Sequence, residues 1–313
     1  MKPQDKAKHV SQCLELAVLL EASANKPGNV SRTADFQGTR YEHFLASAVA
    51  LSTPFGRATE AGEAVLRGTS QVGNVGLGQI IKDCVVAVDA WQHGGNTLLG
   101  TAILLSPIAV AAGMSLDKEG VFEVAMLRRN IKLVVESTTP EDAARVYEAI
   151  RIARPGGLGS SSQLDVNDPN SISLILNERI PLFRIFTMAS AYDTICSEWV
   201  NNYHITFEVA HPSLKKELEK QDLDNAVVHA FLQVLAKHPD TLIARKTSNE
   251  KAEEVSAMAD DLLHLDLETS EGKKKLTEFD EGLRRLGNLS NPGTTADIIA
   301  AGLAICVLGG YRP

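Results

Sequence analysis

Two turns, one near each end of the chain, combine residue types that suit an oxyanion. Asn25-Lys26-Pro27-Gly28-Asn29-Val30 ends a long apolar helix pattern and plants a lysine in a Pro-Gly bend. Proline fixes its own φ and disfavours helix at the residue before it, and glycine accepts positive φ. Such a bend exposes backbone N–H groups beside a cationic side chain, which can hold a phosphate. The same triplet also serves as an ordinary surface turn. Ser290-Asn291-Pro292-Gly293-Thr294-Thr295-Ala296-Asp297 is a second such bend, and it opens an apolar helix. Gly94-Gly95-Asn96-Thr97 and Arg154-Pro155-Gly156-Gly157 also open or close apolar helices. Helix N-termini carry unpaired N–H groups and partial positive charge. One turn of this kind is a cap; several, with Lys26 and Arg154 among them, form a polyphosphate pocket if they meet in space. None is a Walker loop or a dinucleotide fingerprint, because the strand–turn–helix context is missing.

The acids near these turns allow more than one reading. Asp297 sits about one turn into its helix among Ala296, Ile298 and Ile299, as a partner of the helix dipole or as a functional acid. Thr294 and Thr295 can cap that helix or touch a ligand. Asp193 lies in a mostly apolar pattern and must be paired if buried. Asp240-Thr241 is a helix-boundary pair followed by Arg245-Lys246, so it is a solvated cap or part of a phosphate contact. His43 on an apolar helix fits a satisfied core or rim residue. Asp260 and His264 share a helix face, but the run from Asp260 to Glu268 has the composition of a solvated acidic face.

The elements that must position these groups are helical. The chain of 313 residues is 44% hydrophobic and 22% charged, enough for a substantial core. Its net charge of −8 argues against a nucleic-acid binder, which needs a basic face, but leaves room for a local basic pocket. The four cysteines are far apart, form no C-x-x-C pair and sit in apolar patterns. They are expected as buried free thiols, in keeping with a cytoplasmic protein. No signal peptide is apparent at the N-terminus, and the stretch from Leu98 to Gly113, interrupted by Ser106-Pro107, is a core helix rather than a membrane span.

Periodicity predicts helices ending before Lys26, from Tyr41 to Arg67 with a break near Pro54-Phe55-Gly56, through Asp89, and over Leu98–Ala112 and Leu116–Glu136. Thr39 and Glu42 would form a capping box at the second of these. Thr139-Pro140-Glu141-Asp142 should start a helix that runs to Ala153. The polar stretch Arg154–Pro169 is long enough to suggest a functional loop. Helices follow near Ser171–Phe207, Leu214–Gln221, Asp224–Lys237, Asn249–Leu265, Ser270–Leu286 and Thr294–Leu308. Strand signals are poor, and a single all-α domain over residues 1–313 is the simplest account.

With these motifs in order, the chain resembles the triphosphoribosyl-dephospho-coenzyme A synthases. The resemblance rests on Lys26-Pro27-Gly28 after a helix containing Glu21, on His43-Phe44-Leu45-Ala46-Ser47-Ala48, and on Asn96-Thr97-Leu98-Leu99-Gly100. Asp240-Thr241-Leu242-Ile243-Ala244-Arg245 and Asn291-Pro292-Gly293-Thr294-Thr295-Ala296-Asp297-Ile298-Ile299 complete it. It implies an all-helical enzyme that uses ATP as donor, with magnesium holding the triphosphate. Such enzymes move the triphosphoribosyl group of ATP onto a ribose hydroxyl and release adenine. It further implies that Lys26 and Arg245 contact phosphate and that Asn96, Thr97, Asp240 and Asp297 line the ATP or magnesium site, with Gly28, Gly293 and Thr294 in the phosphate-binding turns. The family pattern usually has glycine where this chain has Lys246 and Thr294. That departure bears on the acceptor: dephospho-CoA, or a different hydroxyl compound such as a pterin precursor.

Breaking a C–N glycosidic bond builds positive charge on the ribose. A carboxylate can stabilise that charge or take the hydroxyl proton, with Asp297, Asp193 and Asp240 as candidates in that order. Lys26, Arg154 and Arg245 can neutralise a triphosphate. Two alternatives remain from sequence: a magnesium-dependent hydrolase of nucleotide or ADP-ribosyl-like compounds, and a catalytically inactive nucleotide-binding helical protein. Neither nucleic acid nor membrane is an expected partner; a homo-oligomer is compatible with the composition.

Overall fold

Helical segments that are apolar on every side must be surrounded by protein, and two of them organise this fold. A computed structural model describes residues 3–159, 161 and 163–313. In it α5 (Leu99–Gly113) and α16 (Gly293–Leu308) are buried along almost their whole length. Against them pack α1 (Pro3–Ser23), whose Val10, Leu14, Ala17 and Val18 are fully buried, and α3 (Ser52–Leu66). Around this centre run α2 (Tyr41–Ala50), α4 (Leu77–Trp91), α6 (Val124–Glu136) and α7 (Pro140–Ala153). The second half adds α8 (Ser171–Asn177), α9 (Leu182–Ala189), α10 (Thr194–Val200) and α11 (His211–Leu218). It continues with α12 (Leu223–Lys237), α13 (Thr241–Lys246), α14 (Asn249–Leu263) and α15 (Ser270–Arg284). The fold is all-α, as expected; one apolar cluster reaches from Val10 to Leu308. All four cysteines are free and buried. Among the described residues no helix is long and apolar enough to cross a membrane.

Several local expectations are corrected. The break in the second predicted helix falls at Leu51, because Pro54 sits in the first turn of α3, where its missing N–H costs little. The cap of α2 is Arg40, whose N–H donates to His43 Nδ1 at 3.0 Å, while Thr39 Oγ1 instead donates to Gly94 O at 2.9 Å. The segment from Leu116 does not start a helix. Asp117–Lys118 and Val121–Phe122 pair as a small antiparallel hairpin through Glu119-Gly120, both at positive φ, and α6 begins only at Val124. The predicted span Ser171–Phe207 is three short helices and a π turn at Thr206–Ala210, with Pro181 and Asp193 as the caps of α9 and α10. The start of α7 agrees with expectation: Asp142 N–H donates to Thr139 Oγ1 at 3.2 Å and Thr139 N–H to Asp142 Oδ2 at 2.8 Å.

Pro107 inside α5 explains how the second half of the chain is anchored. A proline cannot donate to the carbonyl four residues earlier, and its ring disturbs the helix around it. The carbonyl left without a helical partner is that of Ile103, and the buried Trp199 Nε1–H donates to it at 3.2 Å. Tyr203 OH donates to the next carbonyl, Leu104 O, at 2.9 Å. The Trp199→Phe protein should therefore lose about 1–3 kcal/mol of stability for the unpaired carbonyl. In a Pro107→Ala background, where a backbone N–H returns, that loss should shrink by ~0.5 kcal/mol or more in a double-mutant cycle read by denaturant unfolding.

Candidate active site

The chemistry-bearing turns converge on a cleft of about 370 Å³ between the start of α5 and the start of α16. Asp297 forms part of its floor. The residue is half-buried, open to the cleft, and Thr101 Oγ1 on α5 donates to Asp297 Oδ1 at 2.5 Å. Burial pushes its carboxyl up to about 8; the Thr101 hydrogen bond opposes that rise, and the neighbouring charges of Glu21 and Asp240 add to it. Gly100 makes room for this acid, since an ideal Cβ there would stand 2.0 Å from Asp297 Oδ2.

Glu21 also lines the cleft, 4% exposed, and burial raises its carboxyl while Lys26 opposes the rise. Lys26 Nζ lies 3.1 Å from Glu21 Oε1, a buried ion pair. The same Nζ donates to the carbonyls of Glu21 and Ala24. Lys26 is 1% exposed and is not among the residues lining the cleft, so its expected phosphate contact is corrected to an internal counter-charge for Glu21. Gly28 is likewise outside the lining: at φ +67 it turns the chain so that its N–H donates to Asp280 Oδ1 at 2.7 Å. The bend thereby delivers Asn29 and Val30 to the cleft, where Asn29 Nδ2 donates to Asn291 Oδ1 at 3.0 Å.

Asp240 is also corrected as a metal or catalytic candidate. It is 2% exposed, lies behind the cleft wall, and has both oxygens occupied. Oδ1 accepts the N–H groups of Leu242 and Ile243 at 2.8 and 3.1 Å, capping α13; Oδ2 accepts Thr295 N–H and Oγ1–H at 2.7 and 2.8 Å, tying α13 to α16. Burial raises its carboxyl against these four donors.

Asp193 and Arg245 meet at the cleft as an ion pair, and Asp193 Oδ1 also accepts Cys196 N–H at 3.2 Å to cap α10. Asn96, Thr97, Arg154, Gly293 and Thr294 all line the same space, as does Lys246, whose Nζ donates to Asn288 O at 2.9 Å. Thr97 is held by Ser47, hydroxyl to hydroxyl at 2.8 Å, which explains the place of the His43–Ala48 segment beside it. Arg154 ends α7 at φ 47 and has no carboxylate partner among the described residues. Three of the four glycine turns thus line one cleft, and the fourth supplies its flanking residues. Glu21 was the site residue that pattern reading passed over; its one sequence signal was a carboxylate on the buried face of α1, five residues before Lys26. The Asp260–His264 pair is solvent-exposed, 3.7 Å apart. Among the described residues no three His, Cys, Asp or Glu side chains cluster as a metal cage.

The model for the family described as CitG, ATP:dephospho-CoA triphosphoribosyl transferase, matches residues 7–313. The chain belongs to this family. The transferase is therefore an ATP-using enzyme of triphosphoribosyl transfer, and the cleft is where its acid, cations and helix N-termini come together. Its fold is similar to the crystal structure of an Archaeoglobus fulgidus protein provisionally described as a triphosphoribosyl-dephospho-CoA synthase. The TM-score is 0.65, with 23% identity, over 87% of this chain and all of the other. No curated protein sequence matches the transferase.

Two outcomes follow for the floor of the cleft. Asp297 has a folded-state pKa of about 8 against an ordinary 3.8, so the ligand-free fold is penalised progressively as pH rises from about 4 to 8. Asp297→Asn should remove that penalty, raising the melting temperature at pH 8.5 by ~2 °C or more, with the gain shrinking towards pH 4. The same substitution should lower transfer at least about 100-fold. Gly100→Ala should keep the fold by circular dichroism but displace the Asp297 carboxylate, lowering kcat/KM by about 10–100-fold.

Proposed function

We propose that the transferase moves the 5-triphosphoribosyl group of ATP onto a ribose hydroxyl of dephospho-CoA. The observation that carries the reading is Asp297, a half-buried acid of raised pKa presented to a cleft lined by the N-termini of α5 and α16 and by Arg154, Arg245 and Lys246. The two helix starts and the cations suit a triphosphate, and the acid suits the ribose end.

The hydroxyl oxygen bonds to C1 of the ATP ribose while the bond from C1 to adenine breaks. The hydroxyl proton leaves the acceptor and one proton joins adenine, so the products are the glycosylated acceptor and neutral adenine. We assign both transfers to Asp297. Its protonated form hands a proton to the departing base; the resulting carboxylate faces the positive ribose and accepts the hydroxyl proton. Its raised pKa fits a group that must both give and take a proton near neutrality.

Magnesium fits as a companion of the triphosphate. It binds through one or two carboxylates plus phosphate oxygens and needs no protein cage, and Glu21 places a carboxylate on the cleft wall. When bound it would neutralise triphosphate charge. Asp193 keeps Arg245 in place, and Asn29 and Asn291 supply polar groups to the wall.

With ATP, magnesium and dephospho-CoA, adenine should appear one-for-one with a product heavier than the acceptor by the triphosphoribosyl mass, and chelation by EDTA should stop it. ADP or AMP as the only nucleotide product sinks the reading. Adenine with free ribose triphosphate, independent of acceptor, would mark a hydrolase. Turnover only with a pterin precursor would change the acceptor and keep the chemistry.

A further inference from the structure

Beside the acidic cleft lies a second cavity. Its volume is about 620 Å³, and its walls come from α4, α5 and the end of α7. Val85, Val88, Leu99, Ala102 and Ile152 supply an apolar wall, with Arg151 and Arg154 at its polar end. Neither Glu21 nor Asp297 lines it; its carboxylate, Asp89, is exposed. Asn96, Leu98, Leu99 and Arg154 line both spaces, so the two adjoin along one shared edge. The edge is built to be held. Asn96 Oδ1 accepts Leu99 N–H at 3.1 Å, and Arg154 is fixed in a left-handed backbone conformation that a non-glycine residue adopts only when its surroundings impose it. Arg151, one turn before Arg154 on α7, is pinned by its guanidinium to Val166 O and Asp168 O at 2.7 and 2.8 Å.

A direct transfer between two substrates requires both to be bound at once, with reacting atoms ~3–3.5 Å apart. Small-molecule sites run to ~300–1,000 Å³, and a cleft of about 370 Å³ suits one nucleotide. The donor belongs in that cleft, since the acids and helix starts are there. The second substrate must reach the same acid from an adjoining space.

We propose that the apolar side cavity is the acceptor site: it takes an elongated, largely uncharged arm joined through a diphosphate to a nucleoside. The diphosphate meets Arg154 at the shared edge, which sets the nucleoside ribose over Asp297. This rests on the two-substrate transfer proposed above, and it adds where the acceptor lies and which residues select it. Arg154 binds at the junction; Val88, Ile152 and Ala153 shape the arm's wall.

Two measurements test it. Ala153→Trp, or Ile152→Phe should the first fail to fold, narrows the cavity away from the acids. The acceptor KM should rise at least tenfold, with ATP affinity by calorimetry unchanged within twofold. Hydrogen exchange on the unaltered enzyme needs neither a variant nor turnover: dephospho-CoA alone should slow exchange in residues 84–89, which line the side cavity and not the cleft, and ATP alone should not. Protection of residues 84–89 by ATP alone overturns the proposal, as does loss of ATP affinity with an unchanged acceptor KM, or no effect in either assay. Should the enzyme release no adenine while dephospho-CoA still protects the cavity, the transfer chemistry fails and the acceptor site stands.

Discussion

The Asp240 carboxylate is the constraint on which the site depends. Four donors from two helix starts converge on one buried anion, and the charge is tolerable only because all four are present. That single group fixes the start of α13 against the start of α16. The Arg245 guanidinium, five residues along from Asp240, and Asp297, two residues beyond Thr295, are therefore set relative to one another by a shared anchor. Thr241 strengthens it by accepting Thr194 N–H at 3.2 Å, which adds the α10 start and its Asp193 cap to the assembly.

The acids around the cleft divide by what surrounds them. Asp240 has every lone pair directed at a backbone or hydroxyl donor and is left with nothing to offer a ligand. Asp193 is neutralised by Arg245. Glu21 is balanced by Lys26. Asp297 alone combines desolvation, one hydroxyl partner and like-charged neighbours while still lining the cleft, which is an environment that holds a carboxyl in its neutral form. Residue type alone does not separate these four; the number and direction of donors around each makes them different.

The fold and the convergence of the turns were largely legible in the chain. Long apolar periods marked α1, α5 and α16, and the Thr139-Pro140-Glu141-Asp142 cap was plain because its chemistry is entirely local. What failed was decided by distant partners. Thr39 was paired on paper with Glu42, yet its hydroxyl goes to Gly94 O, a contact across 55 positions that no local rule sees. Lys26 was read as a surface cation because a Pro-Gly bend normally faces water; α15 covers this bend and turns the lysine inward. Gly100 passed as a motif residue without a stated reason until Asp297 appeared 2.0 Å from where its Cβ would stand.

A chain of net charge −8 that must hold a polyphosphate faces an electrostatic problem, and the cleft shows how it is met. Bulk attraction is not available, and the nearby acids would repel the ligand. The opposing field is local: α5 and α16 both start at this space, with the positive ends of their dipoles there, and Arg154, Arg245 and Lys246 line it. Of these, Arg245 is already matched by Asp193, so its charge positions more than it attracts. Neutralising Asp297 by a proton removes one repulsive charge at the floor, and the Lys26–Glu21 pair removes another. The triphosphate would then meet paired or neutral acids instead of a cluster of three charged ones. Anion binding by an acidic protein here depends on suppressing its own charges at one place, and the buried carboxyls around α16 are where that suppression occurs.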